Sequence, residues 1–201
     1  MDANGITAMF KVAIPTINQH IALAQSSQSS YVGNRHPALR YVHFEIETDR
    51  VHIVTTDGKA LLHTEVQLVD GCAKEPTAFD VRAMPRITPG NAAMTTNPPA
   101  ALFVVEDGLI STGDIVARIA VDINYPLWRN TLPSRERMER ETAWRPLDPE
   151  YYALAQKFAG CGDYADAHRV KGQTGGPVVF YKKAVDENEQ NIAVVMPLRV
   201  P

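Results

Sequence analysis

The hydrophobic positions along the chain change period several times. Around "IPTINQHIALAQ", Ile14, Ile17, Ile21 and Ala24 recur at helical spacing while Asn18, Gln19 and Gln25 fall on the opposite side. That pattern predicts an amphipathic helix with an uncharged polar face. Further on the period shortens to two: Val42, Phe44 and Ile46 alternate with His43, Glu45 and Glu47, and Thr48-Asp49 supply a turn. The stretch "ALRYVHFEIETDRVHIVTTDGKALLHTEVQLV" therefore reads as a half-buried antiparallel meander. Strand patterning resumes at "TAFDV" and "ALFVVEDGLISTGDIVARIAV". Between them, "RAMPRITPGNAAM" offers a weak helix that Pro85, Pro89 and Gly90 would shorten or break.

The last third opens on a stronger signal. Asp148 is placed as a helix cap and Pro149 as the first helical residue, Tyr151, Leu154, Ala155 and Phe158 share one face, and Gly160 ends the run. "GGPVVFYKKAV" and "NIAVVMPLRV" then flank "DENEQN" as a closing hairpin, and the charged "SRERMERE" reads as a connector before this unit. A repeated rhythm of one helix followed by a few strands, about three units in all, predicts an α+β fold.

Composition narrows the classes. The 201 residues are 45% hydrophobic and 21% charged, ordinary for a globular chain with a real core. A formal charge of −3 argues against a surface that is basic throughout, while permitting a local basic patch. Cys72 and Cys161 lie far apart with no metal-ligand spacing, so neither a disulfide framework nor a zinc motif is expected, and a reducing cytoplasm is the expected compartment. The N-terminal "MDANGITAMFKVAIP" lacks a basic region followed by a long apolar one, and no stretch approaches the roughly 18 apolar residues of a membrane span.

Catalytic chemistry finds little support. His43, Glu45, His52, His63 and Glu65 could share one polar face of neighbouring strands, a composition that metals favour. Alternation alone reads the same residues as a solvated sheet face, and no metal or other cofactor is expected. There is no nucleophile elbow or H-x-x-E-H pattern, and "GQTGG" lacks the Lys-Ser/Thr and following helix of a phosphate loop. No enzymatic activity is expected.

The C-terminal run is the anomaly. Terminal residues are usually cheap to leave disordered, yet Ile192 to Met196 form a strand-like apolar run that continues through Pro197-Leu198-Arg199-Val200. Taken with "VHIVTTDGKALL" and "YPLWRNTLP", in that order along the chain, the terminal "VVMPLRV" resembles the bacterial sliding clamp, the beta subunit of the replicative DNA polymerase. The terminal motif is the most specific of the three.

The resemblance implies a DNA-clamp-like architecture. Residues 6–134 resemble the family's complete middle domain, 135–144 a charged linker, and 145–201 the second half of its last domain. The family's first domain has no counterpart in this reading, which puts ring closure by the usual dimer in doubt. The resemblance further implies a hydrophobic groove for short motifs of polymerases and repair proteins. Leu39, Thr56, Gly58, Lys59, Ala60, Leu61 and Pro133 would form one wall, and Val194, Met196, Pro197, Leu198, Arg199 and Val200 the other. The terminal run would then be ordered because it is half of a binding site. Two departures stand out: Lys59-Ala60 replaces the family's His-Arg pair, and Pro201 extends the usual end.

Such a groove is physically reasonable from these residues themselves. Met and Leu adapt to irregular partners, Pro197 stiffens the backbone, and Gly58 permits close approach. Each apolar anchor would gain roughly 1.5–3 kcal/mol, giving binding on the order of −8 kcal/mol after ordering costs. DNA contact is expected to be weak. The first helix has no cation between Lys11 and Arg35. The remaining candidates are Arg82 and Arg86 on the second helix, Lys157 on the third, and Arg169 and Lys171 with His168 in the loop after it. A true encircling clamp would need more than two copies of such a chain, about four by unit counting.

Overall fold

The computed structural model describes residues 6–28, 30–69, 76–82, 84–90, 99–120, 123–141, 146–160, 166–173, 176–181 and 189–198. Alternate residues Ala8, Phe10 and Val12 of β1 (Ile6–Ala13) are fully buried, so this segment pleats with one face on the core. It leads directly into α1 (Ile14–Gln28), followed by the single turns of α2 (Tyr31–Arg35) and a 3-10 turn at Pro37–Arg40. A meander of β2 (Tyr41–Ile46), β3 (Arg50–Thr56) and β4 (Ala60–Gln67) comes next. Four more strands follow: β5 (Thr77–Arg82), β6 (Ala100–Glu106), β7 (Leu109–Thr112) and β8 (Ile115–Ala120). After β9 (Met138–Arg140) and α3 (Pro149–Gly160), β10 (Asp166–Val170), β11 (Val178–Tyr181) and β12 (Glu189–Val195) complete the described chain.

All twelve strands join one antiparallel sheet in the order β1-β6-β7-β8-β5-β2-β3-β4-β12-β11-β10-β9. The sheet curls: Phe10 of β1 bridges Leu68, and the Val69 N–H donates to Met9 O at 2.7 Å. The first eight strands thereby wrap a core containing Phe10, Phe44, Phe79 and Phe103 together with Ile14, Ile17 and Ile21 of α1. The expected α+β class is the observed one.

Register assigns the two faces of the central strands. Ile53 lies opposite Thr64 and Thr55 opposite Leu62, whereas His52 lies opposite Glu65, Val54 opposite His63 and Thr56 opposite Leu61. The first set faces the helices. His20 of α1 meets Thr55 and Thr64, while Phe158 of α3 packs with Leu62, Phe180 and Ala193. The second set faces the segment 123–132, whose Tyr125 and Trp128 pack with Val54, Leu61, Met138 and Val194.

Three expectations change. Residues 84–88 take no helical form, in keeping with Pro85 and Pro89, and 91–94 of the expected helix lie outside the described residues. The stretch expected as a linker supplies β9, which pairs with β10 and buries Met138 to 8% exposure. The face expected to be solvated is covered: His43, His52 and His63 are 8%, 5% and 4% exposed. Alternation identifies a shared face but not what lies on it.

Candidate peptide groove

The loop between β3 and β4 is built by its own side chains. Gly58 sits at φ +89°, a left-handed conformation that glycine adopts without a Cβ penalty. The Asp57 carboxylate accepts hydrogen bonds from the Lys59 and Ala60 N–H groups at 2.9 Å each, and the Thr56 hydroxyl donates to Ala60 O at 2.7 Å. From α3 the Tyr151 hydroxyl donates to the other Asp57 oxygen at 2.5 Å, and the Lys59 ammonium lies 5.5 Å from the centre of the Tyr151 ring. Burial, then the Asp57 carboxylate, pushes the Tyr151 hydroxyl well up, so it remains a donor at neutral pH.

The tail is tied to the same loop. β12 lies between β4 and β11, pairing Val194 with Leu61 and Val195 with Ala60. Beyond the strand, the Met196 N–H donates to Lys59 O at 2.9 Å and the Leu198 N–H to Pro146 O at 2.8 Å. The backbone is thus fixed while Met196 and Leu198 stay 47% and 50% exposed. Apolar side chains held this way on ordered backbone offer contact area with little backbone ordering left to lose.

A cleft of about 790 Å³ opens here. Leu39, Thr56, Gly58, Lys59, Ala60, Leu61, Val194 and Met196 all line it, so most of the residues expected for the two walls come together. Pro197 and Leu198 continue the tail beside this lining without being part of it, Pro133 lies half-buried elsewhere, and Arg199 and Val200 lie outside the described residues.

The remaining lining comes from two stretches that the sequence reading did not assign. Val32, Arg35 and His36 contribute from α2 and its end, and Ile123, Pro126 and Trp128 from the segment that covers the sheet. That segment is well anchored. The Trp128 Nε1–H donates to Glu45 at 3.1 Å, Arg129 bridges Glu45 and Glu47 at 2.9 and 2.7 Å, and Tyr125 stacks on His43 at 4.5 Å. Trp128 sits inside "YPLWRNTLP", so its motif carried the signal although Pro133 was the residue drawn from it.

The cations expected to meet DNA are dispersed and differently placed. Arg82 ends strand β5 and Arg86 lies in the irregular 84–90 segment, not on a helix, in keeping with Pro85 and Pro89. His168 and Arg169 belong to β10 instead of a loop. Arg169 pairs with Glu139 at 2.7 Å, and the Lys171 ammonium donates to Glu136 O at 2.9 Å. Arg86 and Lys157 share a concavity, another cleft lined also by Asn18, Gln19 and Gln25. The polar face of α1 is partly occupied there, since Asn18 bonds both the N–H and the carbonyl of Ile87, and Gln25 bonds Met84 O.

The wrapped sheet, the helices packed on it and the tail-lined cleft define a DNA sliding-clamp fold. The Bacillus subtilis DNA polymerase sliding clamp superposes with a TM-score of 0.59 at 12% identity, over 96% of this chain and 64% of that one. A Helicobacter pylori beta clamp in complex with diflunisal gives 0.61 at 12% identity, over 97% and 67%. Another, bound to a DNA ligase peptide, gives 0.60 at 11% identity, over 97% and 66%. This chain therefore spans about two thirds of the length of the clamps it matches. Neither a family model nor a curated protein sequence matches it. No helix among the described residues is long and apolar enough to cross a membrane.

Proposed function

We propose that this chain is a clamp-type scaffold, not an enzyme, that captures short clamp-binding peptide motifs of DNA polymerase or repair proteins without encircling DNA as a standard dimeric ring. The observation that carries the reading is the apolar cleft formed jointly by Thr56, Gly58, Lys59, Ala60, Leu61, Val194 and Met196, with Leu198 exposed beside it. The H. pylori clamp bound to a DNA ligase peptide lends support by fold analogy. In this reading, residues 6–134 correspond to the clamp's middle domain, 145–201 to the second half of its last domain, and Pro197 to Val200 extend the binding wall.

Fluorescence polarisation with a labelled polymerase-tail peptide tests it. Wild type should bind saturably in the micromolar range, and Met196→Asp or Leu198→Asp should weaken binding strongly, because a desolvated carboxylate without a partner costs several kcal/mol. Absence of saturable binding, or two folded variants that bind like wild type, would refute the groove assignment.

A second reading, an encircling clamp of more than two copies, is favoured by one observation: Arg86 and Lys157 converge on the cleft beside α1. Retention on circular against linearised plasmid, with any required loader present, separates the readings. Loss on linearisation supports encirclement, whereas equal weak retention in a loading-competent assay supports the scaffold.

A further inference from the structure

We propose that His52, His63 and Glu65 form a binding site for a transition-metal dication of the zinc class, on the sheet face beneath Trp128. None of the three ligands lines the peptide groove, although Trp128 borders both. Register creates it: His52 on β3 lies directly opposite Glu65 on β4, and His63 is two residues along β4, so all three side chains leave the same face. One ligand atom from each falls within 4.8 Å of the other two. His52 Nδ1 is 3.0 Å from His63 Nε2 and 3.8 Å from Glu65 Oε2. Tetrahedral zinc with bonds of about 2.0–2.2 Å holds neighbouring ligand atoms about 3.4 Å apart. Side-chain adjustments of a few tenths of an ångström would bring the two measured separations to that value.

The hydrogen bonding around the two imidazoles is compatible with an ion and gives one of them a carboxylate behind it. Each neutral ring has one N–H and one lone pair. Among the described residues His63 Nδ1 has no hydrogen-bond partner whether the rings share a hydrogen bond or both ligate a metal, so it does not separate the two states, and His52 Nε2 likewise makes no hydrogen bond. When the lone pairs of His52 Nδ1 and His63 Nε2 are both given to a metal, the His63 proton sits on Nδ1 and the His52 proton on Nε2. That atom lies 3.4 Å from a Glu47 oxygen, which supplies the carboxylate partner that a ligating histidine commonly has behind it.

The surroundings suit a dication. Arg50 holds the other oxygen of Glu65 at 2.8 Å, leaving Oε2 turned toward the histidines. Glu45, Glu47 and Glu65 outnumber Arg50 and Arg129 in the immediate network. Trp128 stacks on His63 at 4.9 Å as a roof, and the Glu65 side chain, 29% exposed, leaves an approach from solvent. Two imidazoles and one carboxylate select zinc, cobalt or nickel over magnesium and calcium, which prefer all-oxygen sets. Water would fill the fourth position.

The test uses the full chain, stripped with a chelator and titrated with zinc chloride by calorimetry and with cobalt(II) by visible absorption. Wild type should take up one equivalent of zinc with a dissociation constant in the micromolar range or tighter. Its melting temperature should rise with zinc and stay unchanged with magnesium. In a Trp144→Phe background, cobalt should quench the fluorescence of Trp128. Glu65→Gln, a near-isosteric change at a half-exposed position, should weaken uptake at least about tenfold, and His63→Gln should abolish it. Failure of wild type to bind zinc would mean a hydrogen-bonded pair only and overturn the proposal. Undiminished uptake by Glu65→Gln and His63→Gln, both folded by circular dichroism, would equally overturn it.

Discussion

The buried His20 should make stability fall as the solution is acidified. Its ring is completely buried between α1 and the sheet, with Nδ1 3.1 Å from the Thr55 hydroxyl and Nε2 3.0 Å from that of Thr64. Thr64 gives its own proton to Asn191 Oδ1 at 2.6 Å, so it accepts from His20 Nε2–H, and Thr55 donates to Nδ1. Phe158 closes the site edge-on at 5.0 Å. Burial pushes the imidazole down to about 3.

The folded pKa is depressed, so the unfolded chain binds the extra proton between about 6.5 and 3. This contribution is complete above the unfolded pKa and is lost as pH falls. For a single such group the loss from pH 7 to pH 5 is about 2 kcal/mol. Urea unfolding of chelator-treated wild type and His20→Gln at both pH values isolates the His20 share, because the similarly depressed His63 remains in both proteins. The variant should be less stable at pH 7 yet lose about 2 kcal/mol less on acidification. Parallel losses in the two proteins would refute the reasoning.

Three further predictions concern the cleft. Tyr151→Phe removes only the hydroxyl that braces Asp57 and should cost about 1 kcal/mol in urea unfolding, with a measurable loss of peptide affinity by fluorescence polarisation. Gly58→Ala should cost about 1–2 kcal/mol; the new Cβ would meet Val32 at an ordinary 3.5 Å, so the penalty lies in the backbone conformation, and thermal unfolding should detect it. Trp128→Ala should destabilise by about 3–5 kcal/mol, and limited proteolysis should then cut within 123–132 first.

Local patterning carried much of the architecture. Val42, Phe44 and Ile46 alternate into the core as their period requires. The Asp148 cap is also where the sequence placed it, with its carboxylate accepting from the Glu150 N–H at 3.0 Å. The closing hairpin pairs Val178 with Val195. What escaped depends on contacts distant in sequence. β1 carries a period-two signal in Ala8, Phe10 and Val12, but its role in closing the wrapped sheet rests on Leu68 and Val69. The polar ladder of His43, His52 and His63 looks solvated until residues 123–132 fold over it. The groove was partly legible because its two main walls lie on the strongest motifs, "TDGKAL" and "VVMP". Val32, His36 and Ile123 stand in no such motif.

The central claim is tested most directly by methyl NMR during titration with a polymerase-tail peptide. Met196, Leu61, Val194 and Leu198 methyl resonances should shift saturably with one shared micromolar dissociation constant, while Ile110 and Val116, on the strands β7 and β8 remote from the cleft, should stay fixed. Unmoved cleft methyls at saturating peptide, or shifts confined to β7 and β8, would contradict the account.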